Sequence, residues 1–336
     1  ARYLFANTLA GFLSALVYGI LPSIMSLMYP EVAADRFAID FIEPRRFTIL
    51  VRWGEGPHVV GLFFVCISAW FLVKFLREGS KWWLFFGAVM TALTLLTNSI
   101  AAWGLAILAF SLLFGEAAGK DGSWRTVFGR GLVFAAVSFG FVVFWFNSLF
   151  LTTFFREGSN AGVYWRDQFP WGWLAIAAVL VIYFLISKKI LASFKGAAAG
   201  ILFFGLMFFL VNTYYASGAE KLELVPQVLR LTTEVDLGLG LIIGLVVSGL
   251  AGLARKKSTL FYYVATAVFS LGLVPLFYRQ LELVKELPQY TQSAEKKNID
   301  LSKSAEYEVA SELKNKVTGD ERVFVPGNYS FYLNYF

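Results

Sequence analysis

Apolar residues run along this chain in continuous blocks of roughly twenty, the length an α-helix needs to cross the hydrocarbon core of a bilayer. Nine such blocks stand out, at 4–28, 59–76, 82–97, 99–115, 130–151, 171–187, 197–213, 237–254 and 259–277. The third and fourth form one run interrupted at Thr97-Asn98-Ser99. Unbroken, that run of about 33 residues would make a helix about 50 Å long, far beyond a core of about 30 Å, so a break is predicted there. The pattern changes after the ninth block. Residues 278–336 carry polar and charged positions, with Val309, Ala310, Leu313 and Val317 at helical spacing behind a candidate cap at Ser304. Arg322 to Gly327 then reads as a short strand ending in a turn. The predicted fold is an all-α polytopic membrane bundle over 1–277, followed at 278–336 by the start of a soluble α/β segment.

Composition agrees: 58% of residues are hydrophobic and 15% charged, against about 25% charged in ordinary soluble domains. These values exclude a soluble globular enzyme and a disordered chain. Cys66 is the only cysteine, which excludes an intrachain disulfide and a cysteine-based metal site. The chain opens at Ala1 and stops at Tyr335-Phe336 in mid-strand or loop, so it reads as an internal fragment of a longer protein.

The net charge of +6 acquires meaning once it is sorted by side. Short connections at Lys74–Lys81, Lys120–Arg130, Lys188–Lys195 and Arg255–Lys257, with Arg2 and Glu116, hold 13 basic and 3 acidic residues. The opposite side holds 16 basic and 20 acidic residues, in loops 29–58, 152–170 and 214–236 and in the tail. Lys and Arg in short loops mark the cytoplasmic side. The amino end is therefore expected inside the cytoplasmic membrane and the carboxyl end outside. The basic pI reports topology, and nucleic-acid binding has no support.

Ionisable residues are almost absent from mid-span and crowd at the expected outer surface, where long loops can carry function. In the first outer loop, Arg52-Trp53-Gly54-Glu55-Gly56-Pro57-His58 leads directly into a span. Arg52 and His58, with the amides of the helix start, can hold a phosphate; Glu55 can act as base or metal ligand, and Trp53 suits the interface. In the third outer loop, a helix beginning at Pro226 would put Gln227, Arg230 and Glu234 on one face, with Asp236 close by. The bland alternatives are an interfacial turn with a salt bridge and an i,i+4 ion pair on a surface helix. The second outer loop, Tyr164-Trp165-Arg166-Asp167 through Trp173, fits an aromatic belt or a sugar-stacking surface. No phosphate-cradling glycine loop, zinc-binding HExxH pair or nucleophile elbow is present.

Arg52-Trp53-Gly54-Glu55-Gly56-Pro57-His58, Leu95-Thr97-Asn98, Val225-Pro226-Gln227 with Arg230 and Glu234, and Val325-Pro326-Gly327-Asn328-Tyr329-Ser330 with Leu333-Asn334 follow in an order that resembles one group. This is the set of large bacterial and archaeal integral membrane proteins called 6-pyruvoyl-tetrahydropterin synthase-related, which look like members of the GT-C glycosyltransferase superfamily. The resemblance implies transfer of a sugar from a polyprenyl-phosphate carrier to a glycan or other acceptor outside the membrane. It implies phosphate or substrate binding by Arg52, Trp53, His58, Gln227 and Arg230, and acid–base or metal-ligating work by Glu55, Glu234 and Asp236. A divalent cation is the one cofactor it allows. Two departures matter. Asp35, Asp40 and Glu43 do not sit in the motif that carries the superfamily's catalytic carboxylate, and one histidine cannot form the three-His zinc site of a pterin synthase. The rival expectations are a lipid-linked saccharide flippase or transporter, and a non-catalytic glycan-binding scaffold.

Overall fold

The computed structural model describes residues 2–29, 56–119, 123–148, 171–191, 196–218, 224–225, 227–279 and 281–282, with residues 308, 311, 312 and 316 further on. All regular structure among them is helical. The chain divides into two units, Ala1–Phe277 and Tyr278–Phe336. In the second unit the described residues 308, 311, 312 and 316 are helical, and Lys316 pairs with Glu312 one turn away at 2.8 Å. The strand predicted at Arg322–Gly327 lies outside the described residues.

The first apolar block is three helices rather than one: α1 (Arg2–Phe5), α2 (Thr8–Ile20) and α3 (Ile24–Met28). The breaks have local causes. Asn7 turns its side chain onto the amide of Ala10 at 3.1 Å and caps α2, while Pro22 has no N–H to continue it. Asp236 then supplies the cap of α3 from elsewhere in the chain, accepting from the Ile24 amide at 3.2 Å and the Ser23 hydroxyl at 3.0 Å.

The longest described helix of the first half is α4 (Gly56–Glu78). Pro57 suits its first turn, where a missing N–H costs nothing. Gly79, at φ +71°, ends it in the left-handed conformation that a side chain would strain, and Arg130 reaches across to accept duty at the last turn, donating to the Leu76 carbonyl at 2.7 Å. Next come α5 (Lys81–Thr97) and α6 (Ser99–Ala118). The break predicted at Thr97-Asn98-Ser99 is present. Asn98 is extended, and its Oδ1 accepts from the amides of Ile100 at 2.8 Å and Ala101 at 3.1 Å, which stops α5 and starts α6 at one residue. The remaining helices are α7 (Trp124–Gly140), α8 (Trp171–Ile186), α9 (Ala197–Ala216), α10 (Thr232–Lys257) and α11 (Thr259–Gly272).

Packing sorts these helices into two groups. In one, α2 lies along α10, with Ser14 against Gly240 and Gly244; in the other, α4 packs on α5 and α6, and α5 on α7. Helix α9 packs on both α6 and α10 and joins the groups. The shared core is aliphatic and aromatic, with Val65, Leu72, Phe203, Met207, Val211, Leu231 and Val235 all buried. The outward faces are apolar too: Phe63 is 63% exposed, Leu132 73% and Leu250 60%. A chain in water would not leave side chains of this kind spread over its surface; hydrocarbon solvates them.

Candidate functional site

A fully buried hydrogen-bonded pair joins the two helix groups. His58, in the first turn of α4, places Nε2 3.0 Å from Oε1 of Glu234, in the first turn of α10, and both side chains are at 0% exposure. The second carboxylate oxygen accepts from the hydroxyl of Thr233 at 2.7 Å. A carboxylate removed from water is tolerable only when its lone pairs are met by donors, and here each oxygen has one.

Local structure explains how Glu234 reaches that position. A 3-10 turn, Val228–Leu231, leads into α10, with Val228, Leu231, Thr232 and Thr233 buried. Helix α6 makes room by presenting Gly104: a β-carbon there would lie 2.9 Å from Glu234 Cγ and 3.1 Å from Oε1. Three helices thus meet at this point. Helix α4 gives the imidazole, α10 the carboxylate and hydroxyl, and α6 the vacancy of a missing side chain.

The residues singled out from sequence separate into four outcomes. His58 and Glu234, assigned to two different loops, come together. Asp236 does not join them: two residues along a helix points it about 200° away from Glu234, toward α3, where it holds Ser23 and the Ile24 amide. The helical face expected to carry Gln227, Arg230 and Glu234 does not form. Gln227 is left-handed at φ 55°, ψ 38° and precedes the helical turn, so its side chain is exposed, that of Arg230 half-buried and that of Glu234 enclosed. A positive φ at a non-glycine residue breaks helical phase, which i,i+3 and i,i+4 spacing cannot anticipate. Arg52, Trp53 and Glu55 lie outside the described residues.

Among the described residues no three His, Cys, Asp or Glu converge as a metal site. The His58–Glu234 pair is also a poor start for one, because both oxygens of Glu234 already accept hydrogen bonds. Thr233 and Gly104 were not legible as site residues; the only trace is a glycine within the apolar run of α6.

The opposite end of the bundle has a second cluster. Arg77 of α4 engages Glu116 of α6 with two nitrogens, Nη2 at 2.6 Å from Oε1 and Nε at 2.9 Å from Oε2, and Nη2 also donates to the Leu4 carbonyl at 3.2 Å. One turn earlier, Lys74 lies 3.0 Å from Glu78 and 4.8 Å from the Trp83 ring, whose Nε1 donates to Glu78 at 2.6 Å. Between the two ends runs a cavity of about 1090 Å³, walled by α2 and α4 with α6 and α10 behind.

Helices apolar inside and out, four of them among the described residues long and apolar enough to cross a bilayer, define a helical membrane protein. The four are Gly56–Glu78, Ser99–Ala118, Ala197–Ala216 and Val228–Leu253; Thr8–Ile20, Lys81–Thr97 and Thr266–Arg279 are apolar but shorter. No family model, curated protein or solved structure matches the chain.

Proposed function

We propose that this protein is a GT-C-like membrane glycosyltransferase that takes a sugar from a polyprenyl-phosphate carrier at the outer face of the membrane. On this proposal nine crossings place the Lys- and Arg-rich connections inside and the His58–Glu234 end outside. The observation that carries it is the pair itself: of the two regions marked for chemistry by their residues, each contributes one partner, and the fold brings them together across 176 residues.

The chemistry suits sugar transfer. With Nε2–H donated to Glu234, the imidazole keeps its lone pair on Nδ1 and its orientation is fixed by the carboxylate. That nitrogen takes the proton of an acceptor hydroxyl as the acceptor oxygen bonds to the anomeric carbon. The bond from that carbon to the phosphate oxygen breaks, and polyprenyl phosphate leaves with the electron pair. Glu234 stabilises the imidazolium formed, and Thr233 holds the carboxylate in place. Arg52 and Arg230 are the proposed phosphate contacts, Trp53 and Gln227 position the substrate, and Glu55 is a further proposed acid–base or metal-ligating group.

The test is transfer of radiolabelled sugar from a polyprenyl-phosphate donor in reconstituted membranes. His58→Gln and Arg230→Ala should each lower transfer at least about 100-fold, the loss of a general base or an electrostatic contact, with insertion unchanged. Unaltered transfer in His58→Gln would refute the role given to the pair. A second reading, a lipid-linked saccharide flippase, is favoured by the intramembrane cavity. Translocation of a labelled lipid-linked sugar without transfer would select it.

A further inference from the structure

The cavity between α2 and α4 is graded in chemistry along its length. Its two cations, Lys74 and Arg77, stand at one end beside Asn7 and Thr8 at the start of α2. From Arg77 it follows α4 back to Cys66, about 16 Å of helix, between Trp70, Ala69 and leucines of α6 and α10. Cys66 and Trp70 line this stretch and are both exposed, so the wall is open there rather than sealed by a neighbouring helix. A headgroup-sized polar end, a long apolar body and a lateral opening are the three features of a site that admits a lipid from within the bilayer.

Charge chooses among lipids. The groups facing the polar end are Lys74 and Arg77 with their partners Glu78 and Glu116, a balance of zero. Around them the same end carries Lys81, three residues beyond the end of α4, and Arg130, which donates to the Leu76 carbonyl. The Lys74–Glu78 pair is a partly exposed i,i+4 contact, with side chains 21% and 41% exposed, of the kind that contributes little and is readily exchanged. A phosphate can take the place of Glu78 at Lys74, whereas a zwitterionic headgroup would bring an added cation into an already basic end.

We propose that this cavity is a binding site for an anionic phospholipid, with the phosphate at Lys74 and Arg77 and one acyl chain along Trp70 toward Cys66. The site is independent of sugar transfer and lies at the other end of α4 from His58.

Cys66, the only cysteine in the chain, reports on it. The experiment measures alkylation of Cys66 by N-ethylmaleimide in this 336-residue chain, purified in mild detergent, with phosphatidylglycerol or phosphatidylcholine added at equal concentration. Phosphatidylglycerol should slow the reaction at least about fivefold, the factor one basic residue gives near an anionic headgroup, and phosphatidylcholine should have little effect. Lys74→Gln should abolish that difference while leaving the thermal midpoint within about 1 °C, as the loss of a weak exposed pair allows. Ala69→Phe, which fills the apolar body without touching the charges, should slow alkylation with no lipid added. Equal protection by both lipids, or protection by inorganic phosphate alone, would overturn the proposal. So would rapid modification of Cys66 in phosphatidylglycerol liposomes by a charged methanethiosulfonate, because that reagent follows water and would mark an aqueous pathway.

Discussion

The two ends of α4 hold the same kind of contact, a nitrogen donor from α4 against a glutamate from another helix, in opposite surroundings. At one end His58 and Glu234 are sealed at 0% exposure and each carboxylate oxygen has a single donor. At the other, Arg77 and Glu116 keep 23% and 15% of their side-chain surface, and the guanidinium spreads over two oxygens and a carbonyl. Burial makes the first contact obligatory, since neither partner can fall back on water, while the second can trade partners at modest cost. A membrane protein built this way has one end that must stay closed unless something replaces the partner, and one that can adjust to its surroundings.

That difference can be broken most sharply at Glu234. Glu234→Ala takes the carboxylate away from the buried Nε2 of His58 and is expected to cost about 3–5 kcal/mol in reversible unfolding in detergent micelles. The double replacement His58→Leu with Glu234→Leu should recover all but about 1 kcal/mol while eliminating transfer, which separates holding the bundle together from chemistry. Gly104→Ala should follow at about 1–3 kcal/mol because the new methyl meets Glu234 at 2.9 Å, and the penalty should shrink in the Glu234→Ala background. Arg77→Ala is expected to cost about 1–2 kcal/mol, with Arg77→Lys recovering less than half, because lysine keeps the charge but not the two-pronged geometry. Glu78→Gln should change stability by no more than about 0.5 kcal/mol, with salt reducing it further. If Arg77→Ala proved costlier than Glu234→Ala, the assignment of rigid and adjustable ends would be reversed.

Much of the scaffold was legible because hydrocarbon imposes a simple demand on each helix separately. The break at Asn98 follows from length alone, and an asparagine there is able to cap. The limits of α10 were less accessible. An apolar block at 237–254 leaves out Thr232, Thr233, Glu234 and Asp236, yet these begin the helix Thr232–Lys257, and all but Asp236 are fully buried. Hydropathy discounts such residues because it prices each alone, whereas Ser23 and His58 meet the carboxylates from other helices. The same limit governs the site. His58 and Glu234 were both visible as candidates, but spacing reports neighbours only within one helix, so their partnership across 176 residues was not. Thr233 and Gly104 acquire meaning only once that partnership exists.

The distance in sequence between the two partners also sets an order of events during synthesis. At about 5–20 residues per second, roughly 9 to 35 seconds separate the emergence of His58 from that of Glu234, 176 residues later. Throughout that interval the first turn of α4 is without its carboxylate. A polar side chain that lacks its partner is costly to bury, so His58 gains its enclosed place only when α10 arrives. The pair can therefore form only after Glu234 has been made, which makes it one of the later long-range contacts of this bundle.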